Sequence, residues 1–184
     1  MIITKFDDIP EVQKAKITLF ENPAGGIETH AELSPDGREG KECSTTGKLF
    51  CIDKEENFAE FEDYGSAGYD FHKTNLKFPV DAPAINLKFE RYLTDEHGDE
   101  IPSGDTIHLD KTNKILMYGF VGSAVLDYIT QPLKYYLIAK NVAVRIDARG
   151  MLIEIIMQLE DEHIREIERI IGDDIVGWKD DPTD

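Results

Sequence analysis

The apolar residues of this chain keep two rhythms. In the first half they alternate with polar ones, the period-2 signature of strands with one wet face. Ala15, Ile17 and Leu19 alternate with Lys14, Lys16 and Thr18, and Ile27, Thr29, Ala31 and Leu33 alternate with Glu28, His30 and Glu32. The loop Asn22-Pro-Ala-Gly-Gly26 between them predicts a hairpin. Ser34-Pro-Asp-Gly37 is a turn signal, because Pro presets φ at the second position. A polar strand over 38–43, a return over 45–48 and a strand over 49–52 are expected to follow. Asn-Leu-Lys-Phe occurs at 75–78 and again at 86–89, which predicts two similar strands flanking the proline loop 79–83. After a polar loop over 94–104, Ile107 and Leu109 mark another short strand.

From 112 to 171 apolar residues crowd together, and this stretch is expected to build most of the core. Phe120, Val121, Ala124, Val125 and Tyr128 fall at helical spacing, predicting a helix over 114–128. Gly119 and Gly122 would weaken that helix and let it approach other backbone closely. Residues 133–140 read as a short helix or a strand. Val142, Val144 and Ile146 then alternate up to Asp147-Ala-Arg-Gly150, a connection with a left-handed Gly150. Residues 151–157 are apolar apart from Glu154, as in a central strand covered on both faces. An acidic amphipathic helix over 160–171 carries Ile164, Ile167 and Ile171 on one face. Residues 53–65 favour a short helix: Asp53 and Glu56 have capping-box spacing, and Phe58 and Phe61 share a helical face. As a strand, the segment would put those two rings on opposite sides. The expected fold is α+β: a mainly antiparallel sheet with two to four helices, one packed across the sheet and one C-terminal. One domain spans 1–178, followed by a frayed acidic tail over 179–184.

Composition narrows the function. Of 184 residues, 37 are acidic and 20 basic, for a net charge of −17. That balance disfavours nucleic acid and anionic membranes, which bind through Lys and Arg. It suits a cationic protein partner. Residues 1–8 turn polar at once, unlike a signal peptide, and no apolar run is long enough to span a bilayer, so a soluble cytoplasmic protein is expected. The two cysteines, Cys43 and Cys51, do not make a disulfide framework and are expected to be spectator thiols.

Candidate chemistry is sparse. His108 and Asp110 with His163 have the residue types of a two-histidine, one-carboxylate metal site, but exposed polar residues on a strand and a helix explain them better. The loop Asp95-Glu-His-Gly-Asp-Glu100 lacks the spacing of an EF-hand and reads as a solvated turn. No nucleophile elbow, dinucleotide fingerprint or phosphate loop occurs, and nothing in the spacing pairs Cys51 with His30 or His72. The reading is a non-enzymatic acidic binding protein with neither catalytic residues nor metal or cofactor, like an inhibitor or immunity protein against a basic target. Asp95, Glu96, Asp99 and Glu100 are its partner-binding candidates. The alternatives are an assembly component of a phage or bacterial surface complex, and an enzyme with an unadvertised site.

Overall fold

A computed structural model describes residues 1–23, 26–34, 41–45, 48–64, 71–72, 75–104 and 106–171. Its strands are β1 (Ile2–Asp8), β2 (Lys16–Glu21), β3 (Ile27–Glu32), β4 (Lys41–Thr45), β5 (Lys48–Ile52), β6 (Phe58–Asp63) and β7 (Phe71–His72). They continue as β8 (Ile85–Tyr92), β9 (Thr106–Asp110), β10 (Ile115–Gly119), β11 (Lys134–Ala139), β12 (Val142–Ile146) and β13 (Leu152–Gln158), and the helix is α1 (Asp161–Ile171). One sheet runs β2-β3-β6-β5-β4, the other β11-β12-β13-β10-β9-β7, and β1 pairs with β8 as a separate ribbon. Among the described residues these strand pairings are antiparallel except β7 with β9.

The two large sheets pack face to face through aromatic side chains. The Phe50 ring lies 5.0 Å from Phe61, 5.1 Å from Phe58 and 5.8 Å from Phe120, and Phe61 lies 5.2 Å from Tyr118. The Tyr118 hydroxyl donates to Thr29 Oγ1 at 2.6 Å, a buried hydrogen bond from one sheet to the other. The β1–β8 ribbon ties the sheets together at one side. Thr4 N donates to Gly150 O at 2.8 Å, and Phe89 N donates to Glu56 O at 3.0 Å.

The expected α+β class is overturned. Strand takes 50% of the chain and helix 11%, and α1 is the one helix of seven or more residues among those described, so the fold is mainly β. The predicted helix over 114–128 is instead β10 followed by a short 3₁₀ turn, Ser123–Tyr128. β10 lies between β9 and β13 with most of its residues buried. A strand covered on both faces shows no alternation, and its apolar run imitates helical spacing. Within 133–140, Lys134–Ala139 form the strand β11.

The segment 53–65 fails as a helix for a more local reason. Ile52 pairs with Phe58 and Cys51 with Glu60, so Ala59 is an extra residue, a β-bulge. The bulge resets the alternation and turns both Phe58 and Phe61 onto Phe50. The Asp53 capping signal is real but serves a turn: its carboxylate accepts from Glu55 N and Asn57 N at 2.8 and 2.9 Å.

The hairpins are placed as the alternation predicts: β2 with β3, and β12 with β13. Gly150 has φ +85°. β13 is buried from Leu152 to Met157 between β12 and β10. Residues 75–78 form no strand. Gly122 does approach backbone, since a Cβ there would lie 3.1 Å from Gly104 Cα, whereas one on Gly119 would meet the Thr106 hydroxyl. The turn at 35–37, the return at 46–47 and the tail 172–184 lie outside the described residues.

α1 packs against β2 and β3 with Ile167 buried. His163 helps to start it. Its Nδ1 accepts from Glu160 N at 3.0 Å, and its Nε2 lies 3.1 Å from Ile17 O on the edge strand β2. With Nδ1 accepting, Nε2 carries the proton and donates. Among the described residues no helix is long and apolar enough to cross a membrane.

Candidate functional site

The predicted partner-binding turn, residues 95–100, is held rigidly by its own first residue. The Asp95 carboxylate accepts from His97 N at 2.8 Å and Asp99 N at 3.0 Å, and Asp95 N donates to Asp99 O at 2.9 Å. Gly98 supplies the left-handed position at φ +86°. The flanks are pinned to the amino terminus: Leu93 N donates to Met1 O, and the Met1 ammonium to Ile101 O. Burial lowers the pKa of that ammonium, and nearby Glu100 partly offsets the effect. Asp95 is thus an architectural residue, while Glu96, Asp99 and Glu100 are exposed on the turn. Among the described residues no Lys or Arg pairs with those three; the neighbouring cation-forming groups are His97, 3.5 Å from Glu96, and the Met1 ammonium near Glu100.

The acidic helix behaves differently. The carboxylates at its start and along it are largely paired, with lysines of the body or with its own Arg169. Lys14 bonds Glu160, Lys114 reaches Asp161 at 2.7 Å, Lys111 reaches Glu168 at 3.2 Å, and Arg169 grips Glu166 at 2.8 Å. The hydrogen bonds from Lys14, Lys114 and Arg169 pull the Glu160, Asp161 and Glu166 carboxyls below their ordinary range. Glu154 is no surface acid: it is buried and accepts from the Tyr135 hydroxyl at 2.5 Å, with Arg145 at 3.5 Å. Burial and that hydrogen bond push the Tyr135 phenol up to about 12.

A third group escaped the sequence reading. Register places His30 opposite Glu62, and Glu32 opposite Glu60, which in turn faces Cys51. His30, Glu60 and Glu62 therefore converge on the face of the β2–β4 sheet turned away from the other sheet, each offering a donor atom within 4.8 Å of the others. His30 Nε2 sits directly against the Glu60 carboxylate and 3.7 Å from Glu62. The side chains are only 15%, 5% and 23% exposed. The Tyr64 hydroxyl donates to Glu62, which raises the phenol to about 12. Alternation put His30 on a polar face, but its meeting with Glu60 and Glu62 depends on non-local pairing and on the bulge at Ala59.

The other sequence candidates do not assemble. The Asp110 carboxylate accepts from Asn113 N, Asn113 Nδ2 and Leu76 N at 2.8 to 2.9 Å. Burial opposes its charge, but these bonds prevail and lower its pKa. His163 is committed to Glu160 and Ile17, and His108 lies on β9. In the β4–β5 hairpin Cys43 pairs with Phe50 and Cys51 with Glu42, so the cysteines are not cross-strand partners. Burial, then the charge of Glu60, pushes the Cys51 thiol up to about 11, the opposite of an activated nucleophile.

A cleft of about 280 Å³ lies between residues 9–13, the start of β6 and β8. Its polar groups are joined to one another: Asn86 Nδ2 donates to Asn57 Oδ1 at 2.7 Å, and Asn57 Nδ2 to Asp53 at 2.8 Å. It reads as a seam between the ribbon and the sandwich. No protein-family model matches the chain, and no curated protein matches it by sequence.

Proposed function

We propose that the protein is a non-enzymatic binding domain whose acidic surface engages a basic protein partner, as an inhibitor or immunity protein would. The observation that carries this reading is the contrast between two acidic regions. The helix acids are tied to lysines and an arginine of the same chain, whereas Glu96, Asp99 and Glu100 project from a pinned turn with no such partner among the described residues. Carboxylates held in fixed positions without a lysine or arginine partner steer a cation without a large ordering cost on binding. The net charge of −17 adds a long-range field of the same sign. The test is affinity capture from cells of the source organism, using the parent and the double variant Glu96→Lys with Asp99→Lys. The expected outcome is a captured protein of basic isoelectric point that is lost with the variant and at high salt. Capture that is unchanged by the variant contradicts the assignment.

A further inference from the structure

We propose that His30, Glu60 and Glu62 form a binding site for a divalent transition-metal cation, of the zinc class. One imidazole nitrogen and two carboxylates make a donor set that suits such ions. The backbone beneath them is fixed, since His30 on β3 and both glutamates on β6 belong to one hydrogen-bonded pair of strands inside the sheet. The spacing fits as well. A tetrahedral ion with bonds of 2.0–2.1 Å holds its donors about 3.4 Å apart, and His30 Nε2 lies 3.7 Å from Glu62 Oε1. Loading moves the Glu60 carboxylate outward to a similar distance from the ring.

Two features separate this group from an ordinary acidic patch. His30 Nε2 is shielded from water and points straight at the carboxylates, in contact with Glu60 and 3.7 Å from Glu62 Oε1. A shielded ring nitrogen aimed at two carboxylates presents a cation with ligands that already converge. The charges point the same way. Two carboxylates and an imidazole share one largely buried space. A divalent ion neutralises both carboxylates while the ring stays neutral and ligates through Nε2. Three protein donors leave a fourth position for water, and Cys51 lies opposite Glu60 on β5 beside it. The site is independent of the turn at 95–100, so neither reading depends on the other.

The experiment is zinc titration of chelator-treated protein by calorimetry and by competition with a chromophoric chelator, for the parent and for His30→Ala and Glu62→Gln. Circular dichroism confirms that each variant is folded. The expected result is one zinc per chain in the parent, a rise in its Tm on loading, and affinity at least tenfold weaker in each variant. Cobalt(II) in place of zinc should give tetrahedral visible bands in the parent that His30→Ala abolishes. Absence of zinc binding in the parent overturns the proposal without any variant. So does binding that survives unchanged in His30→Ala, since the ion then sits elsewhere on the chain.

Discussion

Replacing Gly150 with Ala should be among the most damaging single-methyl additions in the molecule. Two costs combine there. Gly150 has φ +85°, and a side chain in that left-handed conformation costs about 1–2 kcal/mol. The added Cβ would also lie 2.1 Å from the Thr4 carbonyl oxygen, and both belong to backbone, so the turn and β1 must separate. Separation strains two hydrogen bonds to Gly150 O, from Thr4 N at 2.8 Å and from Thr4 Oγ1 at 2.7 Å. At about 0.5–1.5 kcal/mol each, their weakening brings the total to about 2–5 kcal/mol. Gly98 provides the control: its φ is +86°, but nothing lies within 4 Å of an added Cβ. Gly98→Ala should therefore show the conformational cost alone. Urea unfolding of the parent and both variants, with m-values compared, measures the difference. Equal destabilisation by the two variants would refute the idea that β1 is locked onto the β12–β13 turn.

Tyr118→Phe should destabilise by about 1–2 kcal/mol, because it strands the buried Thr29 hydroxyl that bridges the two sheets; denaturant unfolding checks it, and a neutral result would mean the bond contributes nothing. Cys51 should alkylate far more slowly than an unfolded cysteine at pH 8, because its thiol is pushed up to about 11; Glu60→Gln should speed the reaction by removing one of the causes. The sign for stability follows from the same shift: a raised folded pKa favours the neutral thiol, so this contribution is intact below the ordinary thiol pKa and fades as pH climbs toward 11. Between pH 8 and 11 the parent should lose unfolding free energy relative to Cys51→Ser as pH rises.

Strands with one polar face were legible from alternation, as β2 and β3 show. So was the Asp147–Gly150 connection, where a left-handed position needs glycine. The helix α1 was legible because its apolar stripe and its acidic first turn agree. Burial on both faces hid β10, since nothing polar marks its period. One bulged residue, Ala59, hid β6 by shifting two phenylalanines into helical phase. β1 was obscured because Ile2, Ile3 and Thr4 are buried in succession before four exposed residues. The turn at 95–100 was readable as a unit, yet its division of labour was not: only hydrogen bonds show that Asp95 holds the turn that Glu96 and Asp99 extend from. The His30 group required knowing that β3 pairs with β6, a contact across 30 residues that no local pattern announces.

The measurement that tests the binding account most directly is the association rate with the captured basic partner across a salt series. Steering by fixed charges raises such rates by about 10- to 1000-fold at low salt, and screening over about 10 Å at 0.1 M removes the gain. The account predicts a rate for the parent that falls steeply with salt. Glu96→Lys with Asp99→Lys should associate slowly at low salt with a shallow dependence, while unfolding at nearly the same urea concentration, because exposed carboxylates contribute little to stability. A parent rate that does not respond to salt, or a variant that follows the parent at every concentration, would contradict it.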